Sequence, residues 1–182
     1  DHGDDNDFID TALYSLPAED NSNVLEDGVY LRLTASQLNQ SAADAEYFQQ
    51  TPDGSRLYKA TVTSSLTGDE IQVVVKETAP NSGIFRSVYP LVLSDTLKGN
   101  GRVCPANADS QNLALFSAST TSDDAIRQSC VLNSQPNDRL DVWFDVPIYA
   151  ADGSLLKTTS WTDRAAVNPI GNVFDASTGE PV

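Results

Sequence analysis

The chain has 182 residues and a mass of 19.6 kDa, long enough to bury a core of its own, with 11 Lys and Arg against 26 Asp and Glu. A formal charge of −15 with no basic cluster to offset it repels a phosphate backbone, which excludes nucleic acid and anionic membrane surfaces as partners. No apolar run approaches the ~20 residues of a membrane helix, so membrane insertion is not expected, and a single histidine, His2, leaves Ser-His-Asp and Cys-His catalysis without support.

The N-terminal stretch, residues 1–23, is acidic and is expected to carry a first strand. Asp4, Asp5 and Asp7 form its densest carboxylate cluster, and carboxylates on a loop are the oxygen ligands that Ca2+ takes. The chain lacks Met and opens on no secretory signal, so it reads as a mature or excised piece of a longer protein. From residue 24 apolar positions recur at period two. Val29, Leu31 and Leu33 alternate with Tyr30, Arg32 and Thr34. Residues 34–50, rich in Ala, Gln and Ser, have room for a short helical turn. Tyr58, Ala60 and Val62 resume the alternation, Thr67-Gly68-Asp69 turns the chain, and Ile71, Val73 and Val75 complete a predicted hairpin.

Pro80-Asn81-Ser82-Gly83 predicts a second turn. The strand expected over 84–93 contains Pro90, which cannot donate to a ladder and predicts a break or an edge there. Residues 97–137 are polar, contain Cys104 and Cys130, and read as an insertion with one helical turn at 123–128. A Cys104–Cys130 bridge would be worth roughly 3 to 4 kcal/mol and marks an oxidising compartment. Leu140, Val142, Phe144 and Val146 form another apolar face. Ala151-Asp152-Gly153-Ser154 turns into a strand over 155–161, and a final short strand is expected at 172–175. This spacing, with little helix, predicts an all-β antiparallel sandwich, with an up-and-down barrel as the alternative. The sandwich occupies 24–166 and holds the 97–137 insertion.

Within this pattern, residues 60–86 resemble the repeat units of large bacterial surface proteins of the adhesin type, the match resting on Glu77, Thr78, Pro80, Asn81, Gly83 and Phe85. Residues 137–145 are similar to a late strand of the same unit, which in that family usually opens Gly-Asp-Thr where this chain has Asn137-Asp138-Arg139. The resemblance implies an immunoglobulin-like sandwich at the extracellular bacterial surface. Residues 168–182 resemble something else, the opening strand of a transthyretin-like or carboxypeptidase-regulatory-like module.

Such an orphaned strand can add to a sheet edge of another copy, and head-to-tail addition that does not close builds a fibre. The expected function is therefore a non-catalytic structural subunit that assembles with copies of itself. Residues 167–182 are the donor, with Ile170, Val173 and Phe174 as the side chains that fill an acceptor. A different class of reading is a ligand-binding adhesin module that presents 97–137 to a host or matrix glycan or protein; a third is an accessory domain of a secreted enzyme. Trp143 and Trp161, with Tyr30, Tyr47, Tyr58, Tyr89 and Tyr149, are candidates for a carbohydrate-binding face, although strand aromatics more often serve the core or cross-strand pairs.

Overall fold

The computed structural model describes residues 13–14, 29–52, 54–105 and 129–167. Its strands are β1 (Leu13–Tyr14), β2 (Arg32–Thr34), β3 (Phe48–Thr51), β4 (Gly54–Leu57), β5 (Lys59–Ser64), β6 (Glu70–Glu77), β7 (Ile84–Ser87), β8 (Val92–Ser94), β9 (Arg102–Cys104), β10 (Val131–Asn133), β11 (Arg139–Tyr149) and β12 (Leu155–Val167). A 3-10 turn over Ser36–Leu38 falls in the Ala/Gln/Ser-rich stretch. The architecture is the expected all-β, mainly antiparallel sandwich.

One eight-stranded sheet, ordered β1-β12-β11-β5-β6-β7-β2 with β9 also beside β6, supplies most of the fold. It curls because β6 serves two neighbourhoods. Residues Glu70 to Val74 pair with β5, whereas Val75 to Glu77 pair with β7. The β5–β6 hairpin forms as its alternation predicts: Ala60 and Val62 on β5 and Ile71, Val73 and Val75 on β6 are all buried. Two parallel pairs are less visible from local pattern. Strand β9 lies parallel to β6 and β10 parallel to β8. Both ends of the 97–137 segment are thus built into the sandwich, with Cys104, Cys130, Val131 and Leu132 buried in the core.

The Cys104–Cys130 disulfide is formed and joins those two ends at a Cα separation of 4.8 Å. The chain also breaks where Pro90 predicts it should. Strand β7 stops at Ser87, and β8 resumes at Val92 after a single bridge between Leu91 and Val29. Two contiguous clusters fill the interior. One surrounds the disulfide with Val62, Ile71, Leu91, Leu132 and Leu140, and the other gathers Tyr58, Val75, Phe85, Phe144 and Val146.

The turn after β6 shows why its sequence is so particular. Gly83 has φ +63°, and a Cβ there would come within 2.7 Å of the Ser36 Cα, so both conformation and space require glycine. The buried Glu77 carboxylate accepts the Gly83 N–H at 2.7 Å and the Ser82 hydroxyl at 3.3 Å, tying the turn shut from inside. Asn137 has φ +67° just before β11, a backbone region that Asn enters more readily than most other non-glycine residues.

Candidate functional site

Three buried acidic residues are the most chemically loaded side chains of the described residues, and in each the geometry is that of an anchor. Asp69 accepts backbone N–H groups of Gly99 (2.7 Å), Asn100 (2.9 Å) and Asn133 (2.7 Å), clamping the start of β6 to the loop before β9 and to β10. Asp138 accepts the Ser64 hydroxyl, the Ser134 hydroxyl at 2.8 Å, and the N–H groups of Leu66 (2.9 Å) and Arg139 (2.7 Å). Burial pushes both carboxyls up, but these donors favour the charged form and hold both below the ordinary aspartate value.

The third is Glu77, which meets a second carboxyl, Glu46. Burial and a hydrogen bond to Glu77 push Glu46 up, against the Gln40 and Ser41 N–H groups that favour its charged form. Burial also pushes Glu77 up, but the Gly83 N–H, Glu46 and Ser82 outweigh it and hold Glu77 low. Glu46 is thus the member of the pair that is biased toward its neutral form.

The sign of the pH effect follows. A group whose folded pKa is raised contributes stability that is full below its unfolded value and is lost as pH rises through the folded one. Glu46→Gln, neutral at every pH, should gain in urea midpoint relative to the parent chain as pH rises above the ordinary glutamate value. Parallel curves for the two would show that Glu46 is not held toward its neutral form. Nearby, burial pushes the Tyr58 hydroxyl up to about 12, so it stays protonated while donating to the Leu38 carbonyl at 3.0 Å.

The site with a geometry suited to a partner lies elsewhere, at the β11–β12 hairpin. Strand β12 runs for 13 residues. Among the described residues it pairs with β11 and, at Ala166 and Val167, with β1. No strand among the described residues pairs with its other side over 155–165.

The phase of that edge can be read from neighbouring bonds. Ser65 donates to the Arg139 carbonyl and Val167 to the Asp138 carbonyl, so even-numbered β11 residues turn their backbone groups to β12 and odd-numbered ones to β5. With the observed register, Leu140 opposite Ala165 and Phe144 opposite Trp161, the odd-numbered residues of β12 face β11. Thr158, Ser160, Thr162 and Arg164 direct their backbone groups outward.

Beside this edge the sandwich opens into a groove of about 380 Å³, lined by side chains that include Leu31, Leu33, Val62, Leu140, Phe144 and Trp161. Val62, Leu140 and Phe144 are buried core residues, whereas Leu31, Leu33 and Trp161 are half-buried. The groove thus reaches from solvent to the interior.

The residues expected to carry function fall as follows. Cys104 and Cys130 are bonded, as expected. Asp4, Asp5 and Asp7, the 123–128 turn, the 172–175 strand, and Ile170, Val173 and Phe174 lie outside the described residues. Val167, the first residue of the expected donor, is the last of β12; it is buried and donates to the Asp138 carbonyl at 2.8 Å.

Among the described residues no three His, Cys, Asp or Glu side chains gather as a metal site, and no helix is long and apolar enough to cross a membrane. The aromatics do not make one surface. Trp143 stands opposite Thr162 and Trp161 opposite Phe144, so alternation sends the two indoles to opposite faces, while Tyr58 and Tyr89 are buried. The buried carboxylates and the groove beside β12 were missed from sequence. Asn137-Asp138 and the Glu77 to Gly83 turn were the available signals for the former. No known family model matches the chain, and no curated protein matches it in sequence.

Proposed function

We propose that the chain is a non-catalytic structural subunit of an extracellular bacterial surface fibre, in which copies join head to tail by addition of a strand from one to the sheet of the next. The observation that carries this reading is the groove between β2 and β12, a sandwich flank where core side chains lie within reach of an incoming strand. The donor is the segment that follows β12, residues 168–182, once Val167 is assigned to the sandwich. Ile170, Val173 and Phe174 are its apolar side chains, suited to the Leu33, Phe144 and Trp161 lining. Calcium at Asp4, Asp5 and Asp7 would be an added stabiliser and not the joint.

Light scattering tests this directly. The full chain should form large polymers that survive EDTA, and deletion of 168–182 should leave a folded monomer by circular dichroism. A monodisperse monomer from the full chain, or polymers from the truncated one, would remove the proposal. Dissolution by EDTA would move the joint to the acidic cluster.

The second reading, an adhesin module recognising glycan or protein through the 97–137 segment, draws on the disulfide. It pins the neck of that segment to 4.8 Å, the kind of rigid base on which a binding loop is presented. A full-length monomer would favour this reading.

A further inference from the structure

The outer face of the β11–β12 hairpin gathers polar chemistry that the core does not use. Odd-numbered residues of β11 and even-numbered residues of β12 share this face, because Leu140, Phe144 and Val146 point into the core. Trp143 stands directly between Thr162 of β12 and Thr61 of β5, and the same row continues to Gln72 of β6. The indole is half-buried, and among the described residues it has no ring, cation or hydrogen-bond partner. Its N–H is not one of the buried unpaired polar groups, so it is open to solvent.

In the neighbouring row Asp141 holds two arginines. One of its oxygens accepts Arg139 Nε at 3.1 Å and Nη2 at 2.8 Å, and the other accepts Arg164 Nε at 3.0 Å. Both guanidinium groups are exposed, and exposed ion pairs contribute little to stability. What the arrangement fixes is direction. Each planar fork is oriented by the carboxylate between them, and among the described residues both terminal nitrogens of Arg164 are left to donate elsewhere. These groups, Thr162 and Trp143 line an open hollow of about 680 Å³. Farther along the Trp143 row, Lys59 Nζ donates to the Gln72 amide oxygen at 2.8 Å, which leaves the amide NH2 as a further donor.

We infer that this hollow binds a saccharide chain, with a pyranose ring lying against the Trp143 indole and its hydroxyls bonded by Asp141, Arg164 and Thr162. A pyranose uses both parts of such a surface. Its axial C–H bonds turn positive partial charge toward the negative face of an aromatic ring, and its rim of hydroxyls takes donors and acceptors side by side, which guanidinium, carboxylate and threonine supply. The charges agree. Asp141 offsets one of the two arginines, and Asp145 and Glu70 stand on the same face, so a neutral ligand suits it better than a polyanion or a cation. A flat run of strands about 4.8 Å apart favours an extended chain of gluco-configured rings, whose equatorial hydroxyls leave C–H bonds on both ring faces. Thr162 and Arg164 also border the β2–β12 groove, but Trp143 belongs to this face alone. The site uses neither residues 168–182 nor the tip of the 97–137 segment, so it stands whether or not copies polymerise.

The test follows the fluorescence of the full chain carrying Trp161→Phe, which leaves Trp143 as its one tryptophan, while the β-1,4-linked tetrasaccharide of glucose or of N-acetylglucosamine is added. At least one of the two should shift the emission and saturate it at roughly millimolar concentration. Calorimetric titration of the parent chain and its variants then reads affinity without the fluorophore. Trp143→Ala should weaken binding by about tenfold or more, and Trp143→Tyr, which keeps an aromatic face, should recover most of it. Arg164→Ala, at an exposed position that leaves folding intact, should weaken it severalfold, with thermal melts confirming that the variant is folded. No saturable response to either sugar up to about 10 mM, or binding that survives Trp143→Ala and Arg164→Ala unchanged, would overturn the site. Light scattering on the same samples reads polymer length independently, so failure of the fibre reading and failure of this one are separable.

Discussion

Asp138→Ala is expected to be among the most damaging single substitutions in the protein, lowering stability by about 3 kcal/mol or more. The reason is the number of partners it would strand. The carboxylate is 2% exposed, and it satisfies the hydroxyls of Ser64, Ser65 and Ser134 and the N–H groups of Leu66 and Arg139, which come from the end of β5, the β5–β6 turn, the β10–β11 connection and the start of β11. Alanine leaves those donors facing each other without an acceptor, in a place water reaches poorly. For a chain of this size the melting temperature should fall by roughly 6 to 12 °C.

The effect should also depend on pH. Asp138 is held below its ordinary value, as is Asp69, so both contribute stability that is full above the unfolded aspartate value and is lost as pH falls through the folded one. The parent chain should therefore approach the Asp138→Ala variant as pH drops below about 4. Thermal melts of both proteins at pH 3 and pH 7 check this. An equal gap at the two pH values would mean that the charge on Asp138 is not what the surrounding donors hold.

Replacing both cysteines, Cys104→Ala with Cys130→Ala, is the second large effect expected. The bridge spans 26 positions, and releasing a loop of that length returns about 3 to 4 kcal/mol of conformational freedom to the unfolded chain. Because that contribution acts through the unfolded state, the urea midpoint should fall while the slope of the transition rises, the denatured chain being more expanded. The neck is also held from inside. Asp69 bonds Gly99 and Asn100 on one side of the bridge and Asn133 on the other, and Val92 donates to the Cys130 carbonyl. The unbridged variant should therefore still fold, with near-parent circular dichroism at 25 °C. A loss below 1 kcal/mol would show that these bonds, and not the covalent link, set the closure.

The sequence by itself determined the local grammar of this protein. Alternation at Tyr58 to Val62 and at Ile71 to Val75 specified two strands and their inward faces, since a period of two is a property of neighbours in the chain. Pro90 specified a break, because a missing N–H interrupts a ladder in any surroundings. Gly83 marked a position of positive φ, and the two cysteines marked the bridge.

What the tertiary structure decided was partnership. The parallel pairing of β9 with β6 and of β10 with β8 draws both ends of a polar segment into the core, and nothing in the short runs Arg102–Cys104 or Val131–Asn133 names a partner so far away in sequence. The roles of Asp69, Asp138, Glu46 and Glu77 were hidden for the same reason. A carboxylate looks solvated until the fold brings donors to it from other strands. Only the assembled sheet shows that β2 and β12, far apart in sequence, flank one groove that reaches the core.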